Sequence, residues 1–149
     1  MLIFLDTEFT GLIADPQLIS IGLVTLDGQE FYAELSNIDL TDVDFWIEEN
    51  VLPQLGHVPT VDRKTLKTQL LEFLQKCRGD NPTIRILFDY EGDIDLFRDI
   101  LGKDWPEWLL HKNINYVIPE DETDYPGRHH ALNDAKQLRQ YFLDIPLRV

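Results

Sequence analysis

The opening stretch constrains this chain more than any other. Leu2-Ile-Phe-Leu5 is apolar at four successive positions and runs directly into Asp6-Thr7-Glu8. An apolar run without alternation suits a strand buried on both faces, in the interior of a sheet. Side chains alternate along a strand, so Asp6 and Glu8 point to the same side. Two carboxylates at the end of a central strand repel one another and resist burial. A cation between them would relieve both effects, and a divalent metal is the simplest choice.

Strand one is read over residues 2–6. After Thr10-Gly11-Leu12 and Asp15-Pro16, Gln17 to Leu26 reads as a second strand. Asp27-Gly28 is a hairpin signal, and Gln29 to Leu35 returns as a third strand. Thr41 is expected to cap a helix over residues 42–50. A longer helix is expected from Asp62 to Cys77, with Leu66, Leu70, Phe73, Leu74 and Cys77 along one face. Thr83 to Phe88 reads as strand four, and a helix from Asp93 to Leu101 is stopped by Gly102. Asn113 to Ile118 is predicted as strand five, followed by a polar loop over 119–128 and a last helix from His130 to Leu143. The predicted class is therefore α/β. A mixed five-stranded sheet has strands 1–3 as an antiparallel meander and strands 4 and 5 parallel to strand 1, with helices on both faces. The pattern predicts one domain over residues 1–149, with any ligand at the carboxyl ends of the parallel strands.

Charge narrows the function. The formal net charge is −14, from 27 acids against 13 Lys plus Arg. That argues against a non-specific nucleic-acid coat, which would be basic. It is compatible with an enzyme whose acids hold metal. Cys77 is the sole cysteine, so no internal disulfide forms, and a reducing, cytoplasmic setting is expected. No apolar run approaches the ~20 residues of a membrane helix, and the N-terminus lacks a signal-peptide pattern. A soluble protein without membrane attachment is expected. The rival class is an acidic mimic of nucleic acid that binds a partner's basic groove. It would need acids spread over its surface.

The acids instead gather at element boundaries. Asp89, Asp93 and Asp95 follow strand four, and His129-His130-Ala-Leu-Asn-Asp134 opens the last helix. Hard oxygen donors without cysteine favour Mg²⁺ or Mn²⁺ over zinc. Two such ions ~4 Å apart can stabilise both the attacking and the leaving oxygen of a phosphoryl displacement. A neutral histidine beside them can take the proton of the attacking water. Taken singly, Asp93 reads as a helix-dipole acid, Asp134 as an exposed helix residue and His129 as a loop residue. Only the joint set argues for an enzyme.

Asp6-x-Glu8, an aspartate after strand four and His129-x-x-x-x-Asp134 resemble the DEDDh branch of 3′–5′ exonucleases, in that family's order along nearly the whole chain. The stretch from Phe45 to Leu55 looks like a segment of the small ribonuclease AS type, beside ribonuclease T. The resemblance implies a ribonuclease-H-like fold and a 3′–5′ exonuclease, in first place an exoribonuclease, acting on single-stranded RNA or DNA 3′ ends. Two Mg²⁺ or Mn²⁺ ions would be held by Asp6, Glu8, Asp93 and Asp134, with His129 as general base. It also implies that Phe9, Thr10, Gly11 and Leu12 contact the terminal nucleotide. At the middle motif the family commonly has an asparagine four residues before its aspartate. Here Asp89 stands in that place, so Asp89 competes with Asp93 as third ligand. Arg128, Lys136 and Arg139, near the last motif, are candidate phosphate contacts. A homodimer is left open, as is a single-stranded DNA substrate. Trp46, Trp105 and Trp108 are read as packing or interface anchors.

Overall fold

The structure, a computed structural model, describes residues 1–146; the last three residues of the expected domain lie outside the described residues. The three N-terminal strands are Leu2–Phe9 (β1), Leu18–Thr25 (β2) and Glu30–Leu35 (β3). They form the predicted antiparallel meander. A short helix, Phe45–Asn50 (α1), and a two-residue strand, Thr60–Val61 (β4), precede the long helix Arg63–Arg78 (α2). Then come Ile84–Phe88 (β5), Glu91–Leu101 (α3), Leu109–Asn113 (β6) and Ala131–Asp144 (α4). The sheet order is β4-β3-β2-β1-β5-β6, with β5 parallel to β1 and β6 parallel to β5.

The α/β class with a mixed sheet holds, but the sheet has six strands where five were expected. The addition is β4, which pairs in parallel with β3 through Thr60 and Val61 and is too short to leave a periodic signal. Strand five was misplaced. Residues 115–117 of the predicted strand form a single 3₁₀ turn, and the true strand, β6, lies just before it. Ile114 and Val117 are apolar because they pack beneath α4, not because they alternate in a sheet. β6 reads Leu-Leu-His-Lys-Asn and is mostly exposed, as an edge strand can be. The first helix starts later than expected. Asp44, not Thr41, caps it, accepting a hydrogen bond from the Ile47 N–H at 2.9 Å.

The helices cover both faces. Leu66, Leu70 and Leu74 of α2 and Ile94, Phe97 and Ile100 of α3 pack with Ile3, Leu5, Ile21 and Ile86 on one face. Ala135 and Leu138 of α4 pack with Phe4, Val24 and Leu87 on the other. Odd positions of β1 thus face α2 and α3. Phe4, Asp6 and Glu8 face α4.

α4 comes close to the sheet because β2 has a glycine where the helix lands. Gly22 pairs with Asp6 in the ladder. A Cβ on Gly22 would stand 2.4–2.5 Å from the backbone of Ala131 and Leu132. Only helix backbone obstructs it, so the helix itself would have to move. Gly22→Ala is expected to destabilise the protein by about 1–3 kcal/mol, the usual cost of overpacking. It should also draw Asp134 away from Asp6. Thermal denaturation checks the first effect, and calorimetric titration with Mn²⁺ checks the second.

Candidate active site

β1 runs through Phe9, so Asp6 and Glu8 lie inside the strand and not at its end. On the β2 side the ladder continues to Phe9, whereas pairing with β5 runs from Leu2 to Phe4. β5 ends at Phe88, and the chain after it delivers Asp89 and then Asp93 in the first turn of α3. From the opposite face, α4 brings Asp134.

The result is two groups of acids sharing one member. Carboxylate oxygens of Asp6, Asp89 and Asp93 lie within 4.8 Å of one another, and so do those of Asp6, Glu8 and Asp134. Asp89 and Asp93 therefore both reach Asp6; the two are not alternatives in space. Asp93 is buried and accepts a hydrogen bond from the Thr7 hydroxyl at 2.6 Å. The tyrosine hydroxyl of Tyr125 donates to Asp134. Oδ2 of Asp6 is inaccessible to solvent and has no hydrogen-bond donor. An unpaired buried carboxylate oxygen among other acids is costly, and a cation there would satisfy it. The donor set, all carboxylate oxygen, fits Mg²⁺ or Mn²⁺.

The protonation behaviour agrees with that strain. Burial, followed by Asp93, Glu8, Asp134 and Asp89, pushes Asp6 well above the ordinary carboxylate range. Glu8 is pushed up to about 9, by burial and then by Asp134. Burial also raises Asp93, against the opposing Thr7 hydrogen bond. Asp134 and Asp89 rise for the same first reason. Acids raised in the fold bind more protons folded than unfolded, so the metal-free protein loses stability as pH rises. For Glu8 the window runs from its reference 4.5 to about 9. The Tm in chelator is expected to be higher at pH 5 than at pH 8.5. Added Mn²⁺ should reverse the order, because the metal binds the deprotonated acids. Tm measured across pH with chelator and with Mn²⁺ checks this.

The two histidines go separate ways. His129 sits at φ 67°, a left-handed conformation uncommon for a residue with a side chain. Its backbone N–H donates to both Asp134 oxygens, at 3.2 and 3.1 Å. Its ring meets Trp46 of α1 edge-on, 4.5 Å between centroids. His129 and Arg128 line a small cavity of about 120 Å³ together with Asp6, Asp89 and Asp134. His130 instead stacks on Tyr32, 4.3 Å between centroids, and burial lowers its pKa.

On the other side of Glu8 lies an apolar cavity of about 460 Å³, lined by Glu8, Phe9, Gly11, Leu12, Asp44, Trp46 and Ile47. Leu12, on its wall, is 83% exposed. Thr10 does not face this space. It is buried, and its hydroxyl accepts from the Gln17 N–H at 3.0 Å. Gly11 has φ 126°, and a Cβ there would meet the Asp44 carboxylate at 2.6 Å. Phe9 stacks on Tyr90, 6.0 Å between centroids.

The basic residues expected near phosphate are committed elsewhere. Lys136 pairs with Glu30 and Arg139 donates to the Leu26 carbonyl. Arg128 pairs with Glu122 at 2.8 Å, though it remains at the cavity wall. Sequence reasoning missed Tyr125 and Trp46 as site residues. Nothing local marks Tyr125, nine residues before Asp134 in an acidic loop. Trp46 had a signal, an exposed aromatic on a short helix, but no way to tell its neighbour.

Among the described residues no helix is long and apolar enough to cross a membrane. No family model matches the chain. Two curated proteins named 3′-5′ exoribonuclease, from Mycobacterium tuberculosis strains CDC 1551 / Oshkosh and ATCC 25618 / H37Rv, are each 36% identical to it over 75 residues. The match covers 48% of this chain and 45% of each relative, so the chain spans about half the length of the curated relatives it matches. It is similar to 3′–5′ exoribonucleases over that part.

Proposed function

We propose that the protein is a divalent-metal-dependent 3′–5′ exoribonuclease of the DEDDh type, in a single ribonuclease-H-like domain, releasing nucleoside 5′-monophosphates. The observation that carries this reading is the pair of acid groups joined at Asp6, whose Oδ2 is buried and unbonded. The similarity to the mycobacterial exoribonucleases supports the substrate class. A nucleic-acid mimic has no use for acids turned inward against a sheet.

Asp6, Glu8, Asp93 and Asp134 would hold two Mg²⁺ or Mn²⁺ ions, with Asp89 beside them. When bound, such ions stabilise charge on the attacking and leaving oxygens of the displacement. His129 takes the proton of the attacking water. Its place is fixed by the backbone bonds to Asp134 and by the edge of Trp46. Leu12 and Phe9 cover the terminal nucleotide in the apolar cavity beside Glu8, a contact tolerant of base identity. Tyr125 orients Asp134 through its hydroxyl.

Digestion of oligonucleotides labelled at either end tests the reading. With Mn²⁺, RNA should shorten from its 3′ end, one nucleotide at a time. Loss from the 5′ end, or intact RNA under all metal conditions, would overturn it. Faster digestion of single-stranded DNA would reassign the substrate.

A further inference from the structure

We propose that the outer edge of the sheet, along β6, carries the single-stranded RNA that lies upstream of the 3′ end being cleaved. The proposal rests on the exoribonuclease reading, because it extends that site along its substrate. It starts from the placement of the cations. In a chain of net charge −14, the cations Arg63, Lys67, Arg128 and Lys136 are tied to carboxylates. None of the other described Lys and Arg residues forms a salt bridge with a carboxylate: Arg98 meets the His111 ring, Arg78 and Arg139 donate to backbone carbonyls, and Lys64, Lys76, Arg85, Lys103 and Lys112 are exposed. Of these, Arg85 and Lys112 lie on the neighbouring strands β5 and β6, which lead to the acids.

The topology connects that place to the acids. β6 ends the strand order and has β5 as its one neighbour. Asn113 aligns with Phe88, the residue before Asp89, and its amide donates to Glu91 at 3.1 Å. The carboxyl end of β6 therefore adjoins the acidic site. Lys112 aligns with Leu87, and Leu110 with Arg85. Leu87 packs toward α4, the face that carries Asp6 and Glu8, so alternation puts Lys112, Leu110 and Arg85 on the same face as the site. From Asn113 back to Leu110 the strand covers roughly 10 Å. A cavity of about 580 Å³ runs along this edge, and both Arg85 and Arg98 line it.

An aromatic face accompanies Lys112. Tyr116 is 64% exposed, and the Lys112 ammonium lies 5.9 Å from its ring centre. Cations without a carboxylate partner and an exposed ring, on a line leading away from a catalytic centre, supply what a single strand needs: charge for its phosphates and a flat face for a base. A protein segment adding to the β6 edge would take main-chain bonds and would have no use for the cations.

The test uses the full chain with Mn²⁺ and the double variant Arg85→Gln/Lys112→Gln. Both side chains are exposed, so folding should survive. The readout is kcat/KM on a ten-nucleotide RNA divided by kcat/KM on a dinucleotide. That ratio is expected to fall on the order of tenfold at low salt. In parallel, anisotropy of the labelled ten-nucleotide RNA against salt should show a slope shallower by about 0.7 for each cation removed. A ratio and a slope equal to wild type would overturn the proposal while leaving the nuclease standing. If wild type cleaves no oligonucleotide, the underlying function fails instead, whatever the binding slope shows. A concentration-dependent doubling of mass that the variant abolishes, with the RNA slope unchanged, would give the edge to a second copy of the chain and overturn the track.

Discussion

Asp6→Asn is expected to lower exonuclease activity by about 10³-fold or more, to weaken Mn²⁺ binding, and to raise the Tm of the metal-free protein at pH 8. The first two effects follow from Asp6 being the acid common to both groups. Its loss weakens the hold on both ions together. The third follows from the same geometry with the metal removed. Asp6 is held among Asp93, Glu8, Asp134 and Asp89, and each raises its pKa beyond the effect of burial. Asparagine removes one charge from that crowd, and its amide can donate to a neighbouring carboxylate. Calorimetry with Mn²⁺ and thermal denaturation in chelator measure the two sides. Unchanged Mn²⁺ affinity in the variant would remove Asp6 from the site. Asp93→Asn should approach the loss at Asp6, because Asp93 is buried and fixed by Thr7. Asp89→Asn should cost less. A dead Asp89 variant beside an active Asp93 variant would reverse the assignment.

His129→Ala should lower kcat by roughly 10²–10⁴-fold, the usual worth of a general base, and leave Mn²⁺ affinity close to wild type. The backbone N–H that holds Asp134 belongs to residue 129 whatever its side chain, so truncating the ring leaves that support in place. His130→Ala should instead reduce stability, through the lost stack on Tyr32, and keep kcat within a few-fold of wild type. Activity lost at His130 and kept at His129 would move the general base by one residue and break the correspondence with Asp134. Single-turnover rates at saturating Mn²⁺ decide between them.

Local chemistry accounts for what the sequence alone determined. Alternation along one strand puts Asp6 and Glu8 on the same side. The five-residue step from His129 to Asp134 crosses a single helix start. The apolar stripe of Leu66, Leu70 and Leu74 gives α2 its buried face. Each depends on residues a few positions apart, so backbone periodicity suffices. The tertiary structure alone decided the rest. Asp89 joins Asp93 at Asp6 because β5 stops where it does beside β1. Asp134 reaches them because Gly22, over a hundred residues earlier in the chain, lets α4 touch the sheet. Residues 115–117 form a turn because Ile114 and Val117 are drawn beneath that helix, while the exposed Leu109–Asn113 takes the edge of the sheet. These outcomes depend on which distant surfaces meet, and no window of sequence carries that contact.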